Sequence, residues 1–316
     1  MTSPVPFTRI AVLGDLHGHL QLGLCTLARW QRETAIPISA VLLAGDIGTF
    51  TDESQLDSAT RAHANHNPCE LEFLTQWSMT PPPPWLDAIF QPHPHGLGLT
   101  CPIVMVHGNH EGFAHLAPLA NRRRIPTDRA TIDSLPTVDT LERIHYLPSG
   151  CRVTLPSGHT IAGIGGMQAG QRRAKYHPLA YIDEDAVTCL LDARADILLT
   201  HQGPRAVQGG HGSPTLDTLL DPPAARFWFH GHSTPILAPT QVNQTLVVPL
   251  GDVTFVSRGS NAGDPNSNGW CLLDLHSDRT HTLHRDPPPF WRDARRTHWR
   301  QTPGGRLVHP DLAHLI

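Results

Sequence analysis

The amino-acid sequence predicts a layered α/β fold, in which helices cover a sheet of mostly buried strands. Several short apolar runs, such as RIAVLG at residues 9–14 and AVLLAG at residues 40–45, are rich in β-branched residues and close at a turn residue. Runs of this kind indicate buried strands. Segments of helical character lie between several of them, and the alternation of strand and helix is typical of α/β proteins.

The predicted elements follow one another along most of the chain. Each predicted strand is short and apolar, and each predicted helix is a longer stretch that mixes apolar with polar or charged residues. We predict strands at residues 9–14, 40–45, 102–108, 160–166, 196–201, 226–231 and 245–251. We predict helices at residues 20–33, 111–122 and 183–194.

Two regions depart from this alternation. Residues 51–101 contain TPPPPW and QPHPHG and form a long insertion, in which prolines stop a short helix expected around PCELEFLTQW. Residues 286–316 form a tail rich in proline, arginine and tryptophan. Because no repeat or linker divides the chain, we predict one domain over residues 1–285 with the insertion inside it.

Charge and apolar content narrow the possible partners. The 316 residues carry a formal net charge of −4, so the overall charge does not attract nucleic acid or an anionic membrane. The first residues lack the apolar core of a signal peptide, and no stretch approaches the roughly 20 apolar residues of a spanning helix. The six cysteines are scattered, and we expect them to be reduced. We therefore expect a soluble, cytoplasmic protein with no membrane partner.

Polar residues with metal-binding chemistry follow the predicted strands. In open α/β sheets, the loops beyond the carboxyl ends of the strands gather along one edge, so that residues distant in the sequence converge. The residues expected at this edge are Asp15, His17, Asp46, Asn109, His110, His201, His230 and His232.

These side chains resemble the ligands of a metal centre. Carboxylates, imidazoles and an amide oxygen without a thiolate suit Mn²⁺, Fe²⁺ or Zn²⁺. The set is too large for one tetrahedral ion, whereas two ions sharing a carboxylate, roughly 3.5–4 Å apart, would use it and hold a phosphoryl group between them. The alternative is that Asp15 caps a helix and His17 lies in solvent.

Five motifs in order resemble the signature of the calcineurin-like metallophosphoesterase superfamily. They are GDLHG, GDIG, GNHE, THQGP and HGHSTP, and they span roughly residues 9–240. The resemblance implies a four-layer α/β/β/α sandwich that carries a two-metal phosphoester hydrolase.

The resemblance also implies a role for each motif residue. Glu111 would support its loop, and His110 would be the general acid that meets the leaving-group oxygen. A water activated by the two cations would be the nucleophile. The implied ligands are Asp15 and His17 for the first ion, Asp46 as the bridging carboxylate, and Asn109, His201 and His232 for the second ion.

The last motif departs from the usual GHxH ending of the superfamily. Thr234 stands where the second histidine would be. In the alignment that we prefer, His232 binds metal and His230 lies outside the ligand shell or has a structural role. In the other alignment, His230 and His232 together form the pair. The ending GHSTP is similar to the shortened ending of bacterial phosphoprotein phosphatases.

Two further departures bear on the substrate. In GDIGTF, Thr49 and Phe50 replace the aspartate and the phosphate-binding arginine of Ser/Thr protein phosphatases. The layout after GNHE is more similar to RNA lariat-debranching enzymes, although those enzymes usually carry cysteine where Asp15 stands. These departures disfavour a protein phosphatase and leave the specialised debranching role open.

We expect a phosphorylated small molecule, a nucleotide or a nucleic acid as substrate, and Mn²⁺ as the metal. We favour a phosphodiester, with a phosphomonoester as the alternative and an inactive binding module as the remote one. Residues that could contact the substrate are His19, Arg122 and Arg123. The sequence indicates no oligomeric state.

Overall fold

The computed structural model describes residues 7–121, 130–170, 176–233, 237–255, 263–264, 266–286, 300–301 and 307–308. These residues form two six-stranded sheets, one two-stranded sheet and a set of helices, which confirms the α/β class. The strands are β1 (Phe7–Leu13), β2 (Ala40–Leu43), β3 (Ile103–Met105), β4 (Ile144–Tyr146), β5 (Arg152–Thr154), β6 (Thr160–Ile164), β7 (Ala195–Thr200), β8 (Ala225–His230), β9 (Thr240–Val242), β10 (Thr245–Pro249), β11 (Trp270–His276), β12 (His281–His284), β13 (Arg300–Gln301) and β14 (Leu307–Val308).

The predicted helix at residues 20–33 is present, the predicted helices at residues 111–122 and 183–194 are shorter in the structure, and the other three helices are not predicted by the sequence. The helices are α1 (Leu20–Thr34), α2 (Ser58–Ala64), α3 (Pro84–Asp87), α4 (Phe113–Ala120), α5 (Glu184–Leu190) and α6 (Arg205–Gln208). Helix α4 begins at Phe113 rather than at residue 111, because the Glu111 side chain is committed to the preceding loop. Helix α5 ends at Leu190, where the backbone tightens into a three-residue turn that leads to β7.

The first sheet has the order β12-β11-β1-β2-β3-β4, and the second has the order β5-β6-β7-β8-β10-β9. Strands β1 to β4 are mutually parallel, as are β6, β7, β8 and β10. The carboxyl ends of these parallel strands therefore lie along one edge of each sheet, which is where the predicted polar residues stand.

Three apolar layers hold the sheets and helices together. On β1, Ile10 and Val12 pack between the two sheets, whereas Ala11 and Leu13 face helix α1, as the two-residue period of a strand requires. A third layer joins the outer face of the second sheet to helix α5. Helix, sheet, sheet and helix are thus stacked in four layers, which confirms the α/β/β/α sandwich.

The insertion lies on the helix side of the first sheet. It connects β2 to β3, and its side chains Phe73, Trp77 and Leu86 are buried in the same apolar layer as helix α1. The segment expected to hold a short helix forms a 3₁₀ turn at Pro68–Leu71 and a π-helical turn at Phe73–Trp77. Core packing therefore places the insertion next to the loops that follow β1 and β2.

The C-terminal part contributes more to the fold than the sequence indicates. Strands β11 and β12 extend the first sheet in antiparallel fashion beyond β1. Of the predicted tail, the structure describes Asp286 and the short pairing of β13 with β14, and the arginines and tryptophans at residues 291–299 lie outside the described residues. Among the helices that the structure describes, none combines the length and apolar character that a bilayer crossing demands.

Candidate metal centre

The loops that follow the parallel strands of both sheets meet at one place. The His17 N–H donates to the Asp46 carbonyl at 2.6 Å, which joins the loops after β1 and β2. The His232 N–H lies 3.0 Å from both oxygens of the Asp15 carboxylate, which joins the loop after β8 to the loop after β1. These hydrogen bonds connect the first sheet to the second at the predicted site.

Two groups of side chains present atoms that could hold a cation. Within each group, these atoms lie within 4.8 Å of one another. Asp46 connects the groups, because its Oδ1 lies 3.5 Å from His201 Nε2 and its Oδ2 lies 3.9 Å from His17 Nε2. The groups are Asp15, Asp46, His201 and His232, and Asp15, His17 and Asp252.

The surroundings of His201 fit a bound cation. Its Nδ1 donates to the Ala44 carbonyl at 2.9 Å, and burial lowers its pKa, which favours the neutral ring with a lone pair on Nε2. Nε2 nevertheless faces Asn109 Oδ1 at 3.0 Å and Asp46 Oδ1 at 3.5 Å. Acceptors that converge without a proton between them are matched by a metal ion.

The two central carboxylates have opposite electrostatic surroundings. Burial, followed by the negative charges of Asp46 and Asp252, raises the pKa of Asp15 well above its usual value. Burial also acts to raise the pKa of Asp46, but the neighbouring histidines, His201 foremost, outweigh it and lower that pKa. The crowding of carboxylates around Asp15 is the charge that a divalent cation neutralises.

The backbone is strained at three of the predicted ligands. His17, Asp46 and His232 have φ of 41°, 46° and 48°, in the left-handed region that residues other than glycine rarely adopt. Such strain is common at functional sites. Gly231 allows the backbone to pass close to Asp15, because a Cβ at residue 231 would lie 1.9 Å from Asp15 Oδ1. The last motif needs glycine so that its backbone can approach the first one.

His110 is paired with a carboxylate from the insertion. Its Nδ1 lies 2.9 Å from Asp57 Oδ2, and Asp57 Oδ1 caps helix α2 by accepting the N–H groups of Ala59 at 2.8 Å and Thr60 at 2.9 Å. Burial acts to lower the pKa of His110, but the hydrogen bond to Asp57 and nearby carboxylates raise it to about 9. In related phosphatases the carboxylate that orients this histidine stands at the position of Thr49, so nothing in the sequence indicates that Asp57 supplies it. The residues around Asp57 indicate only a helix cap.

Glu111 organises the loop after β2. Its carboxylate accepts N–H groups from Ile47, Gly48 and Thr49 at 3.0, 3.1 and 2.9 Å, and the Thr49 hydroxyl at 2.8 Å. Burial, together with the charge of Asp46, raises the pKa of Glu111 to about 6. The side chain is therefore bound to backbone donors, in the supporting position that the sequence resemblance implies.

The remaining sequence candidates lie beside this centre. His230 is fully buried, donates from Nδ1 to the Gly231 carbonyl at 2.9 Å, and is in neither ligand group. His19 is 1% exposed, and its Nε2 accepts from Asn67 Nδ2 at 3.1 Å, so it offers almost no surface to a substrate. Arg122 and Arg123 lie outside the described residues.

Asp252 is the other neighbour that sequence reasoning missed. It stands three residues beyond the end of β10, and Asp15 and Asp46 stand similarly just beyond β1 and β2. The same rule about the carboxyl ends of strands would have found it, since residues 245–251 are one of the strands that the sequence predicts.

The fold and the convergent ligands define a metallophosphoesterase. The model of the calcineurin-like phosphoesterase family matches residues 8–234, which is more than half of the chain, and the chain belongs to that family. It is accordingly a metal-dependent phosphoester hydrolase. Members of the family typically bind two divalent metal ions.

Solved structures resemble this chain at low sequence identity. One crystal structure is 13% identical with a TM-score of 0.50, and the match covers 88% of this chain and 99% of the other. A hypothetical protein from Thermus thermophilus is 14% identical, with a TM-score of 0.43 and coverages of 89% and 100%. A phosphatase from Mycoplasma pneumoniae is 11% identical, with a TM-score of 0.40 and coverages of 90% and 96%. A comparison with curated proteins gives no match.

Proposed function

We propose that this chain hydrolyses phosphoesters with two divalent ions held at the meeting point of the two sheets. The observation that carries the proposal is the convergence of His201 Nε2 with the Asn109 and Asp46 oxygens, at 3.0 and 3.5 Å, because each of these atoms can bind a cation. When bound, the ions would polarise the phosphoryl oxygens and activate the attacking water. The proposed ligands are Asp15 and His17 for the first ion, Asp46 between the ions, and Asn109, His201 and His232 for the second ion.

His110 is the proposed general acid. Its Nδ1 is held by Asp57, so the ring is fixed in orientation and Nε2 is the nitrogen that is left to deliver a proton to the leaving-group oxygen. The His110 N–H also donates to Asp46 Oδ1 at 2.8 Å, which fixes the backbone of the acid to the bridging carboxylate. Asp57 acts through His110 and is a positioning residue.

A phosphodiester is the substrate that the charges favour. The strongest electrostatic influences on Asp15, Asp46 and Asp252 are other carboxylates and histidines, with no arginine or lysine among them in the described part of the chain. Phe50 is 1% exposed where protein phosphatases place an arginine. A monoester dianion carries one more negative charge than a diester, and among these strongest influences there is no arginine or lysine that would bind the additional charge. Nucleotides and nucleic acids are the expected sources of the diester.

A phosphomonoesterase is the second candidate. The single histidine of GHSTP favours it, because that ending is similar to the ending of bacterial phosphoprotein phosphatases. An inactive binding module is disfavoured, because every motif residue with a proposed chemical role is present.

The test is a metal and substrate series on chelated protein that elemental analysis has verified as metal-free. Hydrolysis of bis(4-nitrophenyl) phosphate and of 4-nitrophenyl phosphate is measured while Mn²⁺, Fe²⁺, Zn²⁺ or Mg²⁺ is added. We expect turnover only with added metal, the highest rate with Mn²⁺, and a larger kcat/KM for the diester. Full turnover by metal-free protein would refute the proposal, and a larger kcat/KM for the monoester would select the second candidate.

We propose the cytoplasm as the compartment. The six cysteines are scattered along the sequence without a CxxC pair, which favours a reducing compartment over a disulfide framework. Intact-mass measurement of protein trapped with a thiol reagent directly after lysis would test this, and six alkylated cysteines are expected.

A further inference from the structure

The loop after β10 is fixed against the end of β1. The Val253 N–H donates to the Asp15 carbonyl at 2.7 Å, and the Leu250 N–H donates to the His230 carbonyl at 2.8 Å. The Gly251 carbonyl approaches so closely that a Cβ on Gly14 would lie 2.0 Å from its oxygen. The backbone on both sides of Asp252 is thus tied to β1 of the first sheet and β8 of the second.

This anchoring places the Asp252 carboxylate beside the first two predicted ligands. Its oxygen and the ligand atoms of Asp15 and His17 lie within 4.8 Å of one another. The side chain is only partly exposed, and burial, opposed by His17 and supported by Asp46, raises its pKa. A carboxylate in this position adds negative charge beside Asp15 and Asp46, and a bound divalent cation would offset it.

The motifs supply one ligand fewer to the first ion than the usual superfamily pattern does. The superfamily ending GHxH usually supplies a second histidine, and this chain has Thr234 there. Asp15, His17 and Asp46 are then the only motif residues assigned to the first ion. Mn²⁺ accepts oxygen ligands readily, so a carboxylate can complete such a set.

We propose that Asp252 is a protein ligand of the first metal ion and takes the place of the histidine that Thr234 replaces. The inference rests on the proposed two-metal function. It implies a first site with three carboxylates and one imidazole, which is harder than a site with two carboxylates and two imidazoles. Replacing an imidazole by a carboxylate shifts the preference of the site toward Mn²⁺ relative to Zn²⁺.

The test measures metal binding directly. Metal-free wild type, Asp252→Ala, Asp252→His and Asp278→Asn are titrated with Mn²⁺ by isothermal titration calorimetry, and the Mn²⁺-loaded forms are compared by electron paramagnetic resonance. Asp278 is fully exposed in the turn before β12, so its variant controls for the loss of one negative charge. Circular dichroism of each metal-free protein checks that it is folded.

We expect wild type and Asp278→Asn to bind two ions and to give the spectrum of a coupled pair. Asp252→Ala should weaken one of the two sites by more than about 100-fold. Loss of a residue outside the ligand shell lowers metal affinity by about 10–100-fold, and loss of a ligand should lower it further. It should also give the spectrum of isolated Mn²⁺. Asp252→His should restore two ions and bind Zn²⁺ better relative to Mn²⁺ than wild type does.

Each contrary result has a defined meaning. If Asp252→Ala weakens neither site by more than about 100-fold, the carboxylate lies outside the ligand shell and the proposal is wrong, while the two-metal function stands. If Asp252→His behaves like Asp252→Ala, the carboxylate acts through its charge and not as a ligand, which also overturns the proposal. If wild type itself binds no Mn²⁺, the proposed function fails first.

Discussion

At the scale of single residues, His110 allows the chemical step to be separated from metal binding. A general acid contributes typically 10²–10⁴-fold when the leaving group needs a proton. His110→Ala should therefore keep both metals, lose most of its activity on an alkyl phosphoester, and lose far less on a nitrophenyl ester, whose leaving group needs little protonation. The measurement is kcat for both esters together with metal content by elemental analysis.

The control for this prediction is His95→Ala, a change at an exposed histidine in the QPHPHG loop that should leave both rates unchanged. Equal losses on the two esters in His110→Ala would assign His110 to phosphate binding. Loss of a metal would make it a ligand.

Asp57 should affect the reaction only through His110, by holding its ring in place. Asp57→Asn keeps the size of the side chain but removes the charge that holds the His110 ring. We expect a loss of kcat on the alkyl ester of about 10- to 100-fold, because misplacing a catalytic group has costs of this order. The double variant Asp57→Asn/His110→Ala should be no slower than His110→Ala alone, since the two residues act as one unit. Additive losses would show that Asp57 acts independently of the histidine.

Asp46 and His230 differ sharply in expected importance, although both are buried. Asp46→Asn should lose metal from both positions, because its two carboxylate oxygens face His201 and His17. His230→Ala should keep both ions and change only stability. Elemental analysis of the two purified variants is the measurement. If His230→Ala loses an ion while His232→Ala keeps both, the alternative alignment of the last motif is correct.

At the scale of elements, the strand ends that carry the site could be predicted from the sequence, whereas the packing of the insertion could not. The strand ends were predictable, because each candidate ligand follows a short apolar run and the carboxyl edge of a parallel sheet is a geometric rule. The position of Asp57 was not predictable. It depends on where Phe73 and Trp77 are buried beneath the first sheet, and no local pattern encodes that packing.

The insertion also contains a buried carboxyl whose titration should be visible in stability. Glu72 Oε1 accepts the Gln21 N–H at 2.6 Å and the Trp77 indole N–H at 3.2 Å, but burial outweighs both donors and raises its pKa to about 8. In the unfolded chain the group ionises near its ordinary pKa of about 4.3. Its contribution to stability is therefore complete below that pH and is lost as the pH rises through 8.

Glu72→Gln should remove this pH dependence. The free energy of unfolding of metal-free protein, measured by urea denaturation from pH 5 to pH 9, should fall with pH more steeply in wild type than in the variant. The difference in unfolding free energy between the two proteins should change by roughly 1.4 kcal/mol for each pH unit between the unfolded-state and folded-state pKa values of Glu72. The control Glu142→Gln changes an exposed carboxylate and should follow wild type. Parallel curves for wild type and Glu72→Gln would show that Glu72 ionises in the folded protein as it does in the unfolded chain.

At the scale of the whole molecule, the candidate metal centre joins the two sheets. Asp15, Asp46 and Asn109 follow strands of the first sheet, whereas His201 and His232 follow strands of the second. The apolar layer between the sheets does not depend on metal, since it consists of residues such as Val12, Leu42 and Phe229. The metal-free protein should accordingly stay folded, with the metal adding stability to an existing sandwich.

That division between core and metal leads to a prediction about thermal stability. Ligand that binds only the folded state adds about 2.7 kcal/mol at 100 times its Kd. Since 1 kcal/mol corresponds to about 2–4 °C in Tm for a chain of 150–250 residues and to less for a longer one, Mn²⁺ at that excess should raise Tm by at most about 5–10 °C for each ion bound. Tm should rise with the logarithm of the Mn²⁺ concentration in wild type and stay flat in Asp46→Asn, while far-UV circular dichroism at 25 °C is the same with and without metal. Two results would contradict this prediction: a wild-type Tm that does not change with Mn²⁺, or a Tm that rises equally in Asp46→Asn. Either would mean that the ions do not join the two sheets through Asp46, and the assignment of that carboxylate as the bridge would be withdrawn.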